Sequence, residues 1–388
     1  MVEAVEAKKA GNFTYGMVGG GPGSFIGVVH RAAINMGGSA RITAGCFSQN
    51  YEKSLETGRT LGIAEDRIYR TYEEMAECEG KREDRPDFIV ITVPNVWHFG
   101  ACRAFLKQGF HVMCEKPLAC STAEALELER IARENHCLFA VSYVYTGHLM
   151  AKEARRLIRD GVIGEIRVVI AEYPQEWLID LVEGESKQAS WRTDPARSGI
   201  SNCVGDIGSH IENMVAYLTG LKITKLCANL DVVGEGRSLD TNAEILVKFS
   251  NGASGCYWCS QIAAGYDNAL KVRIFGTLGA IEFEQEKSNY LTLTLKGEPP
   301  RLLSRGNGYI HDSVKGYNRL PSGHPEGYHE ALANIYDQFM LAIAAKRAGE
   351  DVQESDYDYP GIEMGIAGVR FIEKCVESSK NGAVWVTL

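Results

Sequence analysis

Lys116 lies in Glu115-Lys116-Pro117, directly after the apolar run Phe110-His111-Val112-Met113-Cys114. If that run is a parallel strand, its carboxyl end is where open α/β sheets hold ligands. An ammonium fixed there can hydrogen-bond a substrate hydroxyl and stabilise an alkoxide as hydride leaves the same carbon. A second pair is Asp206 and His210 in Gly205-Asp206-Ile207-Gly208-Ser209-His210. At a spacing of four they share a face once a helix has begun, so the carboxylate can orient an imidazole that takes a hydroxyl proton near neutral pH. By spacing alone, a helix-capping aspartate followed by a polar first-turn histidine is the more ordinary reading. Trp191-Arg192-Thr193-Asp194-Pro195-Ala196-Arg197-Ser198-Gly199 reads as a loop suited to a sugar, with the indole on the apolar ring face and the charged groups on hydroxyls; a solvated surface loop is the alternative.

The elements that must position these groups follow from periodicity and turn residues. Phe13–Val18 is β-like and ends at Gly19-Gly20-Gly21-Pro22-Gly23-Ser24-Phe25-Ile26-Gly27, after which Val28–Met36 reads as a helix. Glycines let a backbone turn tightly and approach a pyrophosphate, and the amide groups at a helix start attract the anion. Strand-like Arg41–Phe47, Asp87–Val93, Phe110–Cys114 and Cys137–Val144 alternate with helix-like Tyr51–Leu61, Tyr72–Cys78, Trp97–Gln108 and Ser121–Asn135. That alternation predicts a parallel, doubly wound dinucleotide-binding domain over residues 13–145. From Ile166 the runs Ile166–Tyr173, Ala243–Phe249, Gly255–Ala263, Leu270–Phe275 and Leu291–Lys296 follow with turns between them, predicting an α+β domain over residues 146–388 built on a large, open, mostly antiparallel sheet.

With these motifs in place the chain resembles the Gfo/Idh/MocA family, named for glucose-fructose oxidoreductase and inositol dehydrogenase. The resemblance spans nearly the whole chain and rests on Thr92-Val93-Pro94-Asn95-Val96-Trp97-His98, Glu115-Lys116-Pro117 and Gly27-Val28-Val29-His30. It implies that Thr92, Pro94, Asn95 and His98 lie near the cofactor, that Glu115 and Lys116 flank its nicotinamide, and that Lys116 is catalytic. It also favours His210 as the acid–base over the capping reading, with Asp206 beside it, since family dehydrogenases carry an Asp-x-Gly-x-His or a close variant here. Tyr145 and His148, after the last strand of the first domain, fall where related proteins place substrate contacts. Trp191, Arg192 and His324, the last in Pro321-Ser322-Gly323-His324-Pro325-Glu326-Gly327-Tyr328, are further substrate candidates; helix capping accounts equally for Ser322, Glu326 and Gly327.

Two departures from the family pattern bear on the cofactor, NAD by preference with NADP as the alternative. The segment from Gly21 to Gly27 is three residues longer than the usual spacing, which predicts a wider pyrophosphate loop carrying Gly19, Gly21, Pro22, Ser24, Phe25, Ile26 and Gly27. The second strand ends Phe47-Ser48-Gln49-Asn50 without the usual ribose-binding carboxylate, leaving Ser48 to meet a 2′-hydroxyl or a 2′-phosphate, with Lys53 in reach. The branch resembled acts on glucosides and inositols, and implies oxidation at sugar C3, with a downstream lyase as a possible partner for the keto-glycoside. A redox-neutral enzyme that oxidises C3 transiently and eliminates the aglycone, and a cofactor-binding regulator, are the competing readings.

Composition bounds the rest. A net charge of −9 with 45% hydrophobic and 23% charged residues over 388 residues suits two ordinary domains and argues against a nucleic-acid partner. Residues 1–12 carry charges without an apolar core segment, and no stretch approaches the ~20 apolar residues of a membrane span, so a cytoplasmic protein is expected. Whether those residues form a plain extension or a partner-binding arm stays open. The 11 cysteines suit free thiols, and Cys256 and Cys259 on one β-like run point to opposite faces, so no metal site is expected. A homo-oligomer through the second sheet is what the family resemblance implies.

Overall fold

The computed structural model describes residues 13–38, 40–182, 184 and 187–388; residues 1–12, left open above as extension or arm, lie outside the described residues. The chain divides into two compact units, one running to Val144 and taking in Tyr328–Ile366, the other formed by Tyr145–Gly327 with Ala367–Leu388. A return of the chain to the first unit was not visible in the sequence pattern.

In the first unit β1 (Phe13–Gly19), β2 (Ala40–Cys46), β3 (Phe88–Thr92), β4 (His111–Cys114) and β5 (Phe139–Val141) form a parallel sheet in the order β2-β1-β3-β4-β5. Every residue of β3 is buried, as expected of a central strand covered on both faces. The helices Phe25–Asn35, Tyr51–Thr60, Tyr72–Gly80 and Thr122–Glu134 open on Ser24, Asn50, Thr71 and Ser121, whose side chains accept a first-turn backbone N–H at 3.1–3.2 Å. The chain winds from β1 to β2 on one side and resumes with β3 on the other, so β1 and β3 are neighbours at a switch point. Gly19 pairs with Thr92, and Ile91 with Cys114, so the glycine loop, the Thr92-Val93-Pro94 turn and Glu115-Lys116-Pro117 leave one edge of the sheet together.

The returning helix Tyr328–Arg347 packs on Phe25–Asn35. Its Tyr336 and Phe339 rings lie 6.1 and 5.8 Å from the Phe88 ring, and Arg347 pairs with Asp87. Farther along, Val141 donates its N–H to the Pro360 carbonyl at 2.8 Å, which continues hydrogen bonding past β5.

The second unit is built on a nine-stranded sheet of β6 (Ile166–Pro174), β7 (Ile223–Asp231), β8 (Asn242–Phe249), β9 (Ser254–Ser260), β10 (Lys271–Gly276), β11 (Gly279–Glu284), β12 (Tyr290–Leu295), β13 (Arg301–Ser304) and β14 (Val386–Thr387). The order is β13-β12-β11-β10-β6-β9-β8-β7-β14, and each pair is antiparallel except β6 with β9. One face is covered by helices, including the later turns of Ile362–Lys380, where the Ser378 hydroxyl accepts the Ala228 N–H at 2.8 Å and Phe371 meets Tyr257. Alternate residues on the other face, among them Val168, Leu246 and Phe275, are exposed. Cys256 is half-buried and Cys259 buried on β9, the alternation expected of a strand.

The segment from Trp191 to Gly199 is not a loop. It folds as the short helices Lys187–Arg192 and Pro195–Ser198, because Asp194 accepts the Ala196 N–H at 2.9 Å and Pro195 stands at the first helical position. Between Ser304 and the returning helix, buried Arg305 gathers the chain. It donates to Asn289 Oδ1 at 3.0 Å, to the Leu320 carbonyl at 2.7 Å, to the Glu326 carboxylate at 2.8 Å, and to the carbonyl of His324. Glu326 also accepts the backbone N–H groups of Arg319 (2.8 Å) and Leu320 (2.7 Å), so its carboxylate holds the preceding turn rather than standing as a helix cap. Arg305→Ala leaves that buried carboxylate without its charge partner and is expected to cost roughly 3–5 kcal/mol, read as a lowered urea midpoint of the second unit; an unchanged midpoint would refute the role assigned to the pair.

Candidate active site

At the end of β1 the backbone turns through Gly19 and Gly20, at φ +86° and +77°. A Cβ on Gly27 would sit 2.3 Å from Gly20 Cα, one on Gly21 2.5 Å from the Phe47 carbonyl oxygen, and one on Gly19 2.7 Å from the Thr92 carbonyl oxygen. Only glycine fits these approaches, which lay bare backbone beside a helix start, and they suit the phosphates of a dinucleotide. Of the residues expected to widen the loop, Phe25, Ile26 and Gly27 are helical. Ser24 N–H bonds the Gly21 carbonyl at 3.0 Å to close a turn through Pro22, and the helix begins at Phe25, three residues ahead of Val28. Ser24 Oγ is taken up by the Gly27 amide, Phe25 is exposed, and Ile26 is half-buried in the first helical turn. Arg31 braces the turn by donating to the Gly20 carbonyl at 2.9 Å. At the end of β2, Ser48 Oγ accepts the Asn50 N–H at 3.2 Å, and the stretch 47–50 holds no carboxylate.

The residues around Lys116 are shaped by buried bonds. The Thr92 hydroxyl donates to the Val18 carbonyl at 3.2 Å, tying β3 to β1. After Pro94, Asn95 is buried in the 3-10 turn Asn95–Trp97. The His98 ring is fully buried, with Nδ1 2.7 Å from the Pro117 carbonyl oxygen and Nε2 2.8 Å from that of Val93. It thus clamps the turn after β4 to the turn after β3. Burial lowers the His98 pKa, and a neutral ring donates to only one of those carbonyls at a time. The Glu115 carboxyl, which burial would raise, is drawn down to about 2 by the hydrogen bond and charge of His30, the charge of Lys116 and the Ser142 hydroxyl. Glu115 Oε1 accepts from His30 Nε2 at 2.8 Å and from Ser142 Oγ at 2.6 Å, so this carboxylate faces the interior. Lys116 is half-buried at the turn that Glu115 and His98 hold.

In the second unit His210 is buried in the first turn of the helix Ser209–Thr219, its ring 4.9 Å from that of Tyr145 and 6.1 Å from that of Tyr173. A π turn, Val204–Gly208, precedes the helix and carries Asp206. Asp206 does not cap the helix; Gly208 occupies the cap position. Asp206 Oδ2 accepts from Gln261 Nε2 at 3.1 Å and pairs with Arg192 Nε at 3.2 Å. Arg192 stacks on the Trp191 ring at 4.7 Å, so the two expected sugar contacts lean on each other and on Asp206. The π turn itself is anchored by buried Asp240, which accepts the N–H groups of Asn202 (2.9 Å) and Val204 (2.8 Å) and the Ser201 hydroxyl (3.0 Å). Asn202 Nδ2 then donates to Gln261 Oε1 at 2.7 Å, completing a chain to Asp206.

Tyr145 belongs to a closed hydrogen-bond ring. Asn268 Nδ2 donates to the Tyr145 hydroxyl at 3.1 Å, the Tyr145 and Tyr173 hydroxyls lie 2.5 Å apart, and the Tyr173 hydroxyl donates to Asn268 Oδ1 at 2.6 Å. Gln175 Nε2 reaches the same Oδ1 at 2.7 Å. Tyr173, Gln175, Asn268, Gln261 and Asp240 went unread in the sequence, where only the strand ends at Tyr173 and near Ala263 mark the neighbourhood. His148 is buried between the Tyr145 and Phe283 rings. Burial and the charge of Lys152 lower its pKa to about 4, and its Nε2 has no hydrogen-bond partner among the described residues. His324 is exposed, and it is its carbonyl that Arg305 engages. No group of three or more residues placed to hold a metal ion occurs among the described residues, and none of their helices is long and apolar enough to cross a membrane.

Comparison with known proteins agrees with this division. The oxidoreductase family with an NAD-binding Rossmann fold matches residues 13–143, and the GFO/IDH/MocA C-terminal domain matches residues 151–282. The uncharacterized oxidoreductase YfiI of Bacillus subtilis is 38% identical over 96% of this chain and 96% of its own. An inositol dehydrogenase homolog from Azotobacter vinelandii, crystallised with NAD+, is 35% identical with a TM-score of 0.95 over 98% of each chain. In complex with NADH and myo-inositol, such a homolog from that organism is 34% identical with a TM-score of 0.93, over 98% of this chain and 99% of its own. Levoglucosan dehydrogenase of Pseudarthrobacter phenanthrenivorans is 26% identical over 74% of this chain and 77% of its own.

Two tests follow from the geometry. Gly27→Val places carbon within the Gly20 backbone and is expected to abolish NAD binding in isothermal titration; retained affinity refutes the close-approach argument. Glu212, two residues beyond His210, is pushed by burial from an ordinary 4.5 to about 8, and its Oε2 has no hydrogen-bond partner among the described residues. The fold therefore favours its neutral form, a contribution complete below about pH 4.5 and lost as pH rises through about 8. Melting temperature should fall between pH 6 and pH 9 in the wild type, and Glu212→Gln should flatten that fall, as followed by circular dichroism across this roughly 3-unit range.

Proposed function

Because the chain belongs to the Gfo/Idh/MocA family of oxidoreductases, with an NAD-binding Rossmann domain, we propose that it oxidises one secondary ring alcohol of an inositol, sugar or glycoside, with glucoside C3 as the favoured position. The observation that carries the reading is the buried His210 imidazole set against Tyr145 and a closed polar ring, in a chain that keeps Lys116 at the end of a Rossmann strand. The likeness to an inositol dehydrogenase homolog that binds NADH and myo-inositol supports the substrate class.

Bound NAD supplies the acceptor for the hydride. His210 takes the hydroxyl proton, and Lys116 holds the same oxygen as negative charge develops on it. Asp206, kept in place by Arg192 and Gln261, steadies the imidazole. Tyr145 and His148 line the ring-binding side, where a neutral His148 with an unpartnered nitrogen suits an uncharged hydroxyl better than an anion. Trp191 and Arg192 act at the rim through their stack, and Ser48 meets the adenosine ribose. His324 has the weakest case, since its segment is folded around Arg305 and its side chain is exposed. Copies of the chain associate through the sheet face that carries Val168, Leu246 and Phe275.

The test is absorbance at about 340 nm, where reduced nicotinamide absorbs, with NAD or NADP and a panel of inositols, sugars and glucosides, and product mass alongside. NADH with a product two hydrogens lighter is expected, and a released aglycone without NADH would point instead to the redox-neutral lyase. Lys116→Ala and His210→Ala should each lower kcat by about 10²–10⁴ with NAD affinity retained; near-normal turnover in either variant removes the role given to that residue.

A further inference from the structure

The side chain preceding Lys116 is answered by residues from three other parts of the first unit. Glu115 Oε1 receives His30 Nε2 at 2.8 Å and Ser142 Oγ at 2.6 Å, and Oε2 lies 3.3 Å from the backbone nitrogen of Lys116 itself. His30 Nδ1 is 2.5 Å from the Tyr336 hydroxyl. His30 and Tyr336 are both 0% exposed and Ser142 is 4% exposed, so no solvent competes for these bonds. His30 stands on the helix that begins at the glycine loop, Ser142 follows β5, and Tyr336 comes from the returning helix.

The protons can be assigned from the chemistry of the partners. An ionised carboxylate only accepts, so His30 carries its hydrogen on Nε2. Burial raises the Tyr336 hydroxyl well above its ordinary 10, so it stays protonated and can donate to a bare Nδ1 or accept from an Nδ1–H. The imidazole thus meets both neighbours, its Nε2–H on the carboxylate and its Nδ1 on the phenol. Main-chain bonds extend the same frame: Glu115 N–H donates to the Ile91 carbonyl and Ser142 N–H to the Cys114 carbonyl, each at 3.0 Å.

We infer that Tyr336, His30 and Ser142 are positioning residues that act through Glu115 to hold Lys116 where it meets the reacting oxygen. The inference rests on the proposed role of Lys116, and it explains why a helix from far along the chain reaches back to the end of β4. The Glu115 side chain reaches the Lys116 amide, so freeing that carboxylate lets the Lys116 backbone turn and its ammonium swing. A polar cluster present only for stability would lower melting temperature and leave the behaviour of Lys116 in the folded protein unchanged.

The experiment measures modification of Lys116 by an amine-reactive acylating reagent, by peptide mass spectrometry, against the exposed Lys107 as internal reference. It is run on the wild type, Tyr336→Phe, His30→Ala and His30→Gln, with circular dichroism reporting folding. In Tyr336→Phe and His30→Ala, the Lys116 to Lys107 labelling ratio is expected to rise. Turnover should fall by about 10²-fold in His30→Ala, the scale of a misplaced catalytic group, with KM for NAD little changed. His30→Gln keeps an N–H for Glu115 and an acceptor for Tyr336, and should restore the ratio toward wild type. Tyr336→Phe, which removes one oxygen, covers the case in which His30→Ala does not fold. An unchanged labelling ratio in a folded Tyr336→Phe variant overturns the inference, whatever the substrate proves to be. A raised ratio in a protein that oxidises no ring alcohol upholds the positioning chain and rejects the proposed function instead.

Discussion

A carboxylate removed from water must find hydrogen-bond donors or lose its charge, and Glu115 finds them in His30, Ser142 and the Lys116 backbone. The architecture of the first unit follows that need. The parallel order brings β4 beside β3 and β5, so the turns after them meet. The helix bearing Tyr336 must return from the far side of the sequence to complete the His30 ring's bonds. Its apolar face, through Tyr336 and Phe339 on Phe88, makes that return favourable in its own right. One polar chain and one aromatic cluster therefore secure the same helix.

The second unit solves a comparable problem with amide side chains. A π turn interrupts the entry to the helix of His210, and wide turns of this kind occur often at functional sites. Asp240 secures the start of that turn, and Gln261 links Asn202 to Asp206 near its middle. Because an amide donates and accepts at once, Gln261 passes orientation along without adding charge beside Asp206. Asn268 does the same for Tyr145 and Tyr173, bridging the hydroxyls of two phenols near His210. Arg192 supplies an opposite charge to Asp206.

Local pattern was a good guide where the structure is local. The glycine run after β1 and the lysine after β4 were readable because turn residues and apolar runs mark strand ends directly. It misled where one side chain chose between alternatives. The helix start moved from Val28 to Phe25 because Ser24 found the Gly27 amide, and the stretch after Trp191 became helical because Asp194 and Pro195 stand where a cap and a first-turn proline belong. The π turn that carries Asp206 into the helix of His210 left no mark in the periodicity. The burial of His148 was not readable, because one histidine among apolar neighbours says nothing of the rings that bury it.

By itself the amino-acid sequence determined the class of each domain and the place of the glycine loop, since periodicity and turn chemistry act over a few residues, and the family resemblance in its motifs singled out the lysine and histidine proposed for chemistry. Tertiary structure decided what surrounds them. Tyr336 meets His30 across 306 positions, Asn268 meets Tyr173 across 95, and Gln261 meets Asp206 across 55. No spacing rule links such partners, because their meeting depends on how separately formed strands and helices pack. The residues that could do chemistry were therefore legible, while those that hold them in place were not.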